Sequence, residues 1–322
     1  MKLLFIFLDG VGLGENNPDN NPFARIKLPN FEEFLGGYKL IADGYQPLKE
    51  ADGFLAYTER ATLLALDPCL GINGLPQSAT GQAALFTGVN VPARLGYHEG
   101  PKPTPPIVEL ICQGTLLTQL QQQHRAVSLL NAFPPRYFDA IKTGYRLPGV
   151  IALTAQQAGS HLNTITDLLI GEAISADFTA EGWRDHLGYP NIPILTPSQA
   201  GERLNILADK FDLAIFEYWL TDMAGHHQDM PSACTILETL DGVMGSLINA
   251  WDSDEGLILL TSDHGNLEDL GTRHHTNNDV PLLLVGSHEL RKEFIGYLNQ
   301  SRGSRKQYDL TDIAPAILNF IG

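Results

Sequence analysis

Five places in the chain carry residues suited to chemistry. Asp9 sits in Asp9-Gly10-Val11-Gly12, and Asp222 and His226 are four residues apart in Asp222-Met223-Ala224-Gly225-His226. Asp263-His264 offers adjacent oxygen and nitrogen donors, and His274-His275-Thr276-Asn277 adds imidazoles further on. The fifth is a hydroxyl, Ser78, in Leu75-Pro76-Gln77-Ser78-Ala79-Thr80-Gly81-Gln82. Mixed carboxylate and imidazole donors suit Zn²⁺ or Mn²⁺ better than Ca²⁺, which prefers oxygen alone. Two such ions about 4 Å apart can clamp the attacking and leaving oxygens of an in-line displacement. A serine hydroxyl is a poor nucleophile at its own pKa, and metal coordination is one way to activate it.

Each cluster has a plainer use when taken alone. Asp9-Gly10 suits a turn, Ser78 a helix cap, and His274 and His275 an exposed loop. Their shared placement argues otherwise. Residues 2–8 are a continuous apolar run that reads as a central buried strand ending at Asp9. Strands are also expected at 60–66, at Leu213–Glu217 just before Asp222, at Leu257–Thr261 just before Asp263, and at Val280–Val285 just after His275. A carboxylate at the end of a buried strand is costly unless a charge or a hydrogen bond meets it. In open α/β sheets ligands bind outside the carboxyl ends of the strands. Ser78 falls where a turn rich in Gly and Pro gives way to a helix over 79–86, with Gly88 to end it. The first N–H groups of that helix favour a phosphate.

Helical periods recur over 31–35, 197–209, 231–250 and 312–320, with Thr196 or Ser198 as a cap for the second. Alternating strands and helices predict an α/β fold with a mostly parallel sheet flanked by helices. The Pro- and Gly-rich stretch 91–105 and the stretch Gly188–Pro193 read as boundaries. Between them lie an amphipathic pattern at 106–122, an apolar run at 126–130, and short helical pieces near 161–170 and 179–186. The expectation is a discontinuous catalytic core, 1–94 and 194–322, with a smaller α/β cap inserted at 95–193.

With 322 residues the chain is long enough for a large core. Its net charge of −16 argues against nucleic acid and anionic membrane surfaces as partners. No apolar run approaches the length of a membrane span, and the N-terminal run reads as a strand rather than a signal peptide. Cys69, Cys112 and Cys234 are too few and too scattered for a disulfide framework, which fits reduced thiols in the cytoplasm. Oligomeric state is not written in these patterns.

The set of motifs resembles the alkaline phosphatase superfamily, and within it the branch of cofactor-independent phosphoglycerate mutase and phosphopentomutase. The resemblance rests on Asp9–Gly12, Gln77–Gln82, Asp222–His226, Thr261-Ser262-Asp263-His264-Gly265-Asn266 and His275-Thr276-Asn277-Asn278-Asp279-Val280-Pro281. Asp312–Leu318 matches a structural helix of the family. The resemblance covers about 1–90 and 195–322. It implies one metal held by Asp222, His226 and His275, and another held by Asp9, Asp263 and His264 with Ser78 alongside. His275 rather than His274 stands in the family's context. The resemblance also implies a phosphoserine intermediate on Ser78. This chain has Gln82 where those mutases usually carry His. Ser78-Ala79-Thr80-Gly81 lacks the Pro and Arg that follow the modified residue of sulfatases.

The resulting expectation is a two-metal phosphomutase or phosphatase acting on a small phosphate monoester through Ser78. Gln82, His98, Lys102 and Arg184 are the candidates for holding that substrate. Two alternatives stay open: a phosphodiesterase-type hydrolase on the same core, and a non-catalytic metal-binding regulatory protein.

Overall fold

Strand β1, Lys2–Leu8, is buried from Leu3 onward. A strand covered on both faces belongs in the middle of a sheet. The computed structural model, which describes residues 1–44 and 54–322, places it there. The other strands are β2 (Phe54–Tyr57), β3 (Ala61–Asp67), β4 (Val127–Leu129), β5 (Leu213–Tyr218), β6 (Gly256–Thr261), β7 (Val280–Val285) and β8 (Tyr308–Asp309). Across the sheet they run β2-β3-β7-β6-β1-β5-β4, with β8 beside β3. Strands β4, β5, β1 and β6 are mutually parallel, while β7 is antiparallel to both β6 and β3. The sheet is thus mostly parallel, as expected.

Direction and register decide where the chemistry goes. Leu8 pairs with Tyr218, and Phe7 with both Glu217 and Thr261. The central strands therefore end in step, and Asp9, Asp222 and Asp263 all emerge at one edge. Because β7 is reversed, its start lies at that same edge, which brings His275 there from the other direction. Strand β3 points the same way as β1, so the segment from Asp67 to Ser78 also leaves from this edge.

Alternation along β1 divides the core in two. Leu4, Ile6 and Leu8 face helices Pro197–Ala208, Met230–Ala250 and Pro29–Phe34. Leu3, Phe5 and Phe7 face helices Ser78–Thr87, Leu116–Gln122, Val150–Gln157, His288–Arg302 and Ile313–Ile321. Phe5 stacks on Phe86 with ring centroids 5.5 Å apart, tying the central strand to the Ser78 helix. Burying one such ring contributes about 1.5–3 kcal/mol. The Ser78 helix ends at Gly88, whose φ of 70° suits a residue without a side chain.

The segment 95–193, expected as an inserted cap, contributes to the main sheet and to its core. Strand β4 joins the main sheet beside β5, pairing Val127 with Leu213 and Leu129 with Ile215. Leu116, Leu117, Leu120, Ile151 and Ala155 share a core cluster with Phe5 and Phe7. Ile107, Ile111 and Val150 pack on Ala79 and Ala83 of the Ser78 helix. Only a small cluster around Ala173, Ala180, Trp183 and Ile192 stands apart. The amphipathic run 106–122 is two short helices, Pro105–Gln113 and Leu116–Gln122, broken at Gly114. Apolar faces this small gain more by covering the existing sheet than by enclosing a core of their own.

Among the described residues no helix is long and apolar enough to cross a membrane. The three cysteines are free.

Candidate active site

The structure gathers the predicted donors into two groups. Asp222, His226 and His275 bring ligand atoms within 4.8 Å of one another, and so do Asp9, Asp263 and His264. In the first group His226 Nε2 lies 3.3 Å from Asp222 Oδ2, and His275 Nε2 lies 3.7 Å from Asp222 Oδ1. In the second, His264 Nε2 lies 3.4 Å from Asp9 Oδ1 and 3.6 Å from Asp263 Oδ2. Ser78 Oγ is 3.0 Å from His264 Nε2. His274 belongs to neither group.

Three backbone carbonyls set the imidazoles. His275 Nδ1 donates to Pro76 O at 2.7 Å, His226 Nδ1 to Arg273 O at 2.9 Å, and His264 Nδ1 lies 3.4 Å from Gly265 O. Each carbonyl can only accept, so it assigns the ring proton to Nδ1 and leaves the Nε2 lone pair facing the carboxylates. His275 Nε2 and His226 Nε2 then face each other at 3.3 Å, two lone pairs with no proton between them. Asp9 Oδ1 is buried without a hydrogen-bond donor. Converging lone pairs and an orphaned carboxylate oxygen fit a pair of cations, and nitrogen with oxygen donors fits a transition metal.

Burial dominates the electrostatics. It pushes the Asp9 carboxyl well above the usual range, with Asp263 and Asp222 adding to the effect. Asp263 is pushed up to about 8 by burial, against a Gln82 hydrogen bond that pulls it down. Burial, and after it the His275 ring, holds His264 well below the usual imidazole range. A bound cation inverts this logic by favouring the carboxylates and the neutral imidazoles.

The Ser78 helix meets this centre closely. A Cβ on Gly81 would lie 2.8 Å from Asp263 O, so a glycine there lets the first turn rest against the Asp263 loop. Thr80 N–H donates to Glu99 O at 3.0 Å. The donors left at the helix start are therefore those of Ser78 and Ala79, fewer than the full turn expected from the sequence.

The four expected substrate contacts separate. Gln82 is buried and donates to Asp263 Oδ2 at 3.1 Å and Asp9 Oδ2 at 3.4 Å, which orients both carboxylates. His98 lies against the turn before Ser78, with Nε2 3.3 Å from Ile72 O, and braces that turn. Arg184 is exposed and pairs with its neighbour Asp185 at 2.8 Å; its interactions stay within its own helix, away from both donor groups. Burial, and after it the Arg146 charge, lowers the Lys102 pKa, while Glu217 and Asp9 raise it.

Glu268 was not singled out from the sequence. It is buried, and it accepts from Gly12 N at 2.9 Å, Asn266 N at 2.8 Å, Asn278 Nδ2 at 3.0 Å and the Thr276 hydroxyl. One carboxylate thus joins the loops carrying Asp9, Asp263 and His275. Asn266 does the same for Asp222, donating from Nδ2 to Asp222 Oδ1 at 2.7 Å.

Comparisons with known proteins find relatives of part of the chain and of its fold. A family model described as the Metalloenzyme superfamily matches residues 201–322. A 2,3-bisphosphoglycerate-independent phosphoglycerate mutase from Desulforudis audaxviator is 33% identical over 120 residues, covering 35% of this chain and 21% of that protein. The same enzyme from Enterobacter is 34% identical over 139 residues, covering 40% and 25%. The chain thus spans about a quarter or less of the length of these relatives. A Pyrococcus horikoshii protein shares the fold with a TM-score of 0.54 at 14% identity, over 99% of this chain and 96% of that one. The alkaline phosphatase of the Antarctic bacterium TAB5 does so with a TM-score of 0.50 at 13% identity, over 99% and 97%. The match to the Metalloenzyme superfamily thus lies in the C-terminal part of the chain, and the fold over nearly its whole length is like that of the TAB5 alkaline phosphatase.

Proposed function

We propose that the protein is a metal-dependent phosphoryl-transfer enzyme, a phosphomutase or phosphatase, acting on a small phosphate monoester through Ser78. The observation that carries this reading is the place of Ser78 Oγ: at a helix start, 3.0 Å from His264 Nε2, beside the Asp9–Asp263–His264 group. Two divalent ions, Zn²⁺ or Mn²⁺, held one by Asp222, His226 and His275 and the other by Asp9, Asp263 and His264, would supply Lewis-acid charge to the hydroxyl and phosphoryl oxygens.

The residues of the chain do the rest. Ser78 Oγ attacks phosphorus as its proton leaves, a new Oγ–P bond forms, and the ester O–P bond breaks while the departing alcohol oxygen gains a proton. The Ser78 and Ala79 N–H groups donate to the phosphoryl oxygens at the helix start. Gln82 holds Asp263 and Asp9 in place through the step. The phosphoryl group on Ser78 then passes to a second hydroxyl of the substrate or to water, and this choice separates a mutase from a phosphatase. The mutase relatives favour the first outcome for themselves; this chain matches about a quarter or less of their length.

The test is a screen of phosphate monoesters on the protein loaded with Zn²⁺ or Mn²⁺, following released phosphate and isomerised product together. Turnover that disappears on chelation and returns on reloading supports the reading. Absence of turnover for every ester and both metals contradicts it.

A further inference from the structure

Ser78 opens its helix without an ordinary cap. The residue before it, Gln77, is extended, with φ −136° and ψ 147°, and its side chain makes no capping bond. A capping side chain is the usual anchor of a helix start, so this start is held from outside. One hold is the 99–100 segment. Thr80 N–H donates to Glu99 O at 3.0 Å, and a Cβ on Gly100 would lie 3.0 Å from Gln77 Cβ. The other hold is His275, whose Nδ1–H donates to Pro76 O at 2.7 Å. Pro76 has a fixed φ and no N–H of its own, so its carbonyl is the backbone group that can anchor the turn there. That carbonyl belongs to the peptide unit joining Pro76 to Gln77, directly before Ser78.

The His275 ring also reaches Ser78 by a second route. It stacks on His264 with centroids 3.7 Å apart, and His264 Nε2 is 3.0 Å from Ser78 Oγ. The contacts close a loop, from the Ser78 backbone through Pro76, His275 and His264 back to the Ser78 hydroxyl. On its other side, His275 Nε2 faces His226 Nε2 at 3.3 Å and Asp222 Oδ1 at 3.7 Å. One imidazole therefore joins the Asp222 donor group to the turn of the nucleophile. His226, the other imidazole of that group, is anchored on Arg273 O instead, outside the turn.

We infer that His275 is a positioning residue for the nucleophile: a divalent ion held by Asp222, His226 and His275 strengthens the bond from His275 Nδ1–H to Pro76 O, and so fixes Ser78 Oγ beside His264. A cation at Nε2 draws electron density from the ring and makes Nδ1–H a stronger donor, as in other charge-assisted bonds. The Asp222 group thus orders the turn, while the Asp9 group lies beside the hydroxyl. This rests on the two-ion reading above and adds to it a coupling between the two donor groups.

Backbone hydrogen exchange, followed by mass spectrometry of the peptide spanning 70–81, reads the turn without turnover. Its Ile72, Thr80 and Gly81 amides donate to Cys69 O, Glu99 O and Gln77 O. The parent, His226→Ala and His275→Ala are compared metal-free and with Zn²⁺, and the metal content of each is measured alongside. Loading is expected to slow exchange in this peptide of the parent by about tenfold. His226→Ala loses the ion but keeps the Pro76 bond, so with Zn²⁺ it is expected to stay at the rate of the metal-free parent. His275→Ala loses both, so it is expected to exchange faster than the metal-free parent and to ignore Zn²⁺. A merely structural brace would leave the parent indifferent to metal, and a plain ligand would make the two variants alike. The peptide carrying β5 serves as the control for folding, and if His275→Ala fails that control the parent and His226→Ala still decide. A loaded parent with no slowing, slowing that survives in either variant, or equal exchange in the two variants overturns the positioning role alone. A parent that takes up no metal overturns the phosphoryl-transfer reading and the positioning role with it.

Discussion

The His264 and His275 rings stack with centroids 3.7 Å apart and 13° between their planes. One ring belongs to each donor group, so the two groups share a wall. His275 also lies close to His226, with ring centroids 5.1 Å apart. Burial holds the His275 pKa down and His226 adds to this, against the Pro76 carbonyl and Asp222, which pull it up.

This sharing predicts how metal content responds to substitution. The loaded protein is expected to hold about two divalent ions per chain. His275→Ala removes one ligand of the Asp222 group while Asp9, Asp263 and His264 remain, so content should fall toward about one. Elemental analysis after dialysis reads this directly.

The Gln82 amide donates to two carboxylates of one donor group, Asp263 at 3.1 Å and Asp9 at 3.4 Å. Outer partners of this kind orient ligands, and losing one typically costs about 10–100-fold in metal affinity. Gln82→Leu is expected to weaken one of the two metal affinities by that factor while Asp222, His226 and His275 retain theirs. Competition with a chromophoric chelator separates the two affinities.

Glu268 accepts four hydrogen bonds from three loops while almost wholly buried. Glu268→Ala strands those donors, and a loss of about 2–4 kcal/mol of stability is expected. Denaturant unfolding of the metal-loaded protein measures it. An unchanged midpoint would mean that the loops are held by other contacts.

The metal-free protein should respond to pH with a definite sign. Asp9 and Asp263 are raised in the folded state, Asp263 to about 8, and Glu217 to about 7. For such groups the folded state binds more protons, so their contribution to stability is lost as pH rises through the folded pKa. His264 and His275 are lowered and act oppositely, but only while the unfolded histidines, near 6.5, still take up protons. Between about pH 6.5 and 8 the carboxyls act alone. The Tm of the chelated protein is therefore expected to fall across that window. Metal affinity is expected to rise across it, because the ligands must lose their protons to bind.

Much of this centre was legible because its residues sit where strands end, and strand ends are marked by an apolar run stopping at a charge. Asp9, Asp263 and the Ser78 helix follow from that pattern. The reversal of β7 was not legible, since an apolar run carries no direction; yet it is what delivers His275 to the same edge as the others. In the segment 95–193, Pro and Gly mark a change of chain direction as readily as a domain boundary. Its short apolar faces do not announce which core they join. The sequence places His98 in a turn-rich segment and Arg184 on a short helix, but it does not show their near neighbours, the Ile72 carbonyl and Asp185. Glu268 does carry a signal in the sequence. A carboxylate five residues beyond Asp263, in a turn with many unpaired N–H groups, is well placed to accept from them.

The central claim is that Ser78 takes the phosphoryl group. The direct measurement is mass spectrometry of the metal-loaded protein, quenched in acid during turnover of a phosphate monoester and digested. A phosphate is expected on the peptide carrying Ser78, absent from Ser78→Ala and absent when metal is removed. Full turnover by Ser78→Ala, with no phosphorylated Ser78 in the parent, would contradict it.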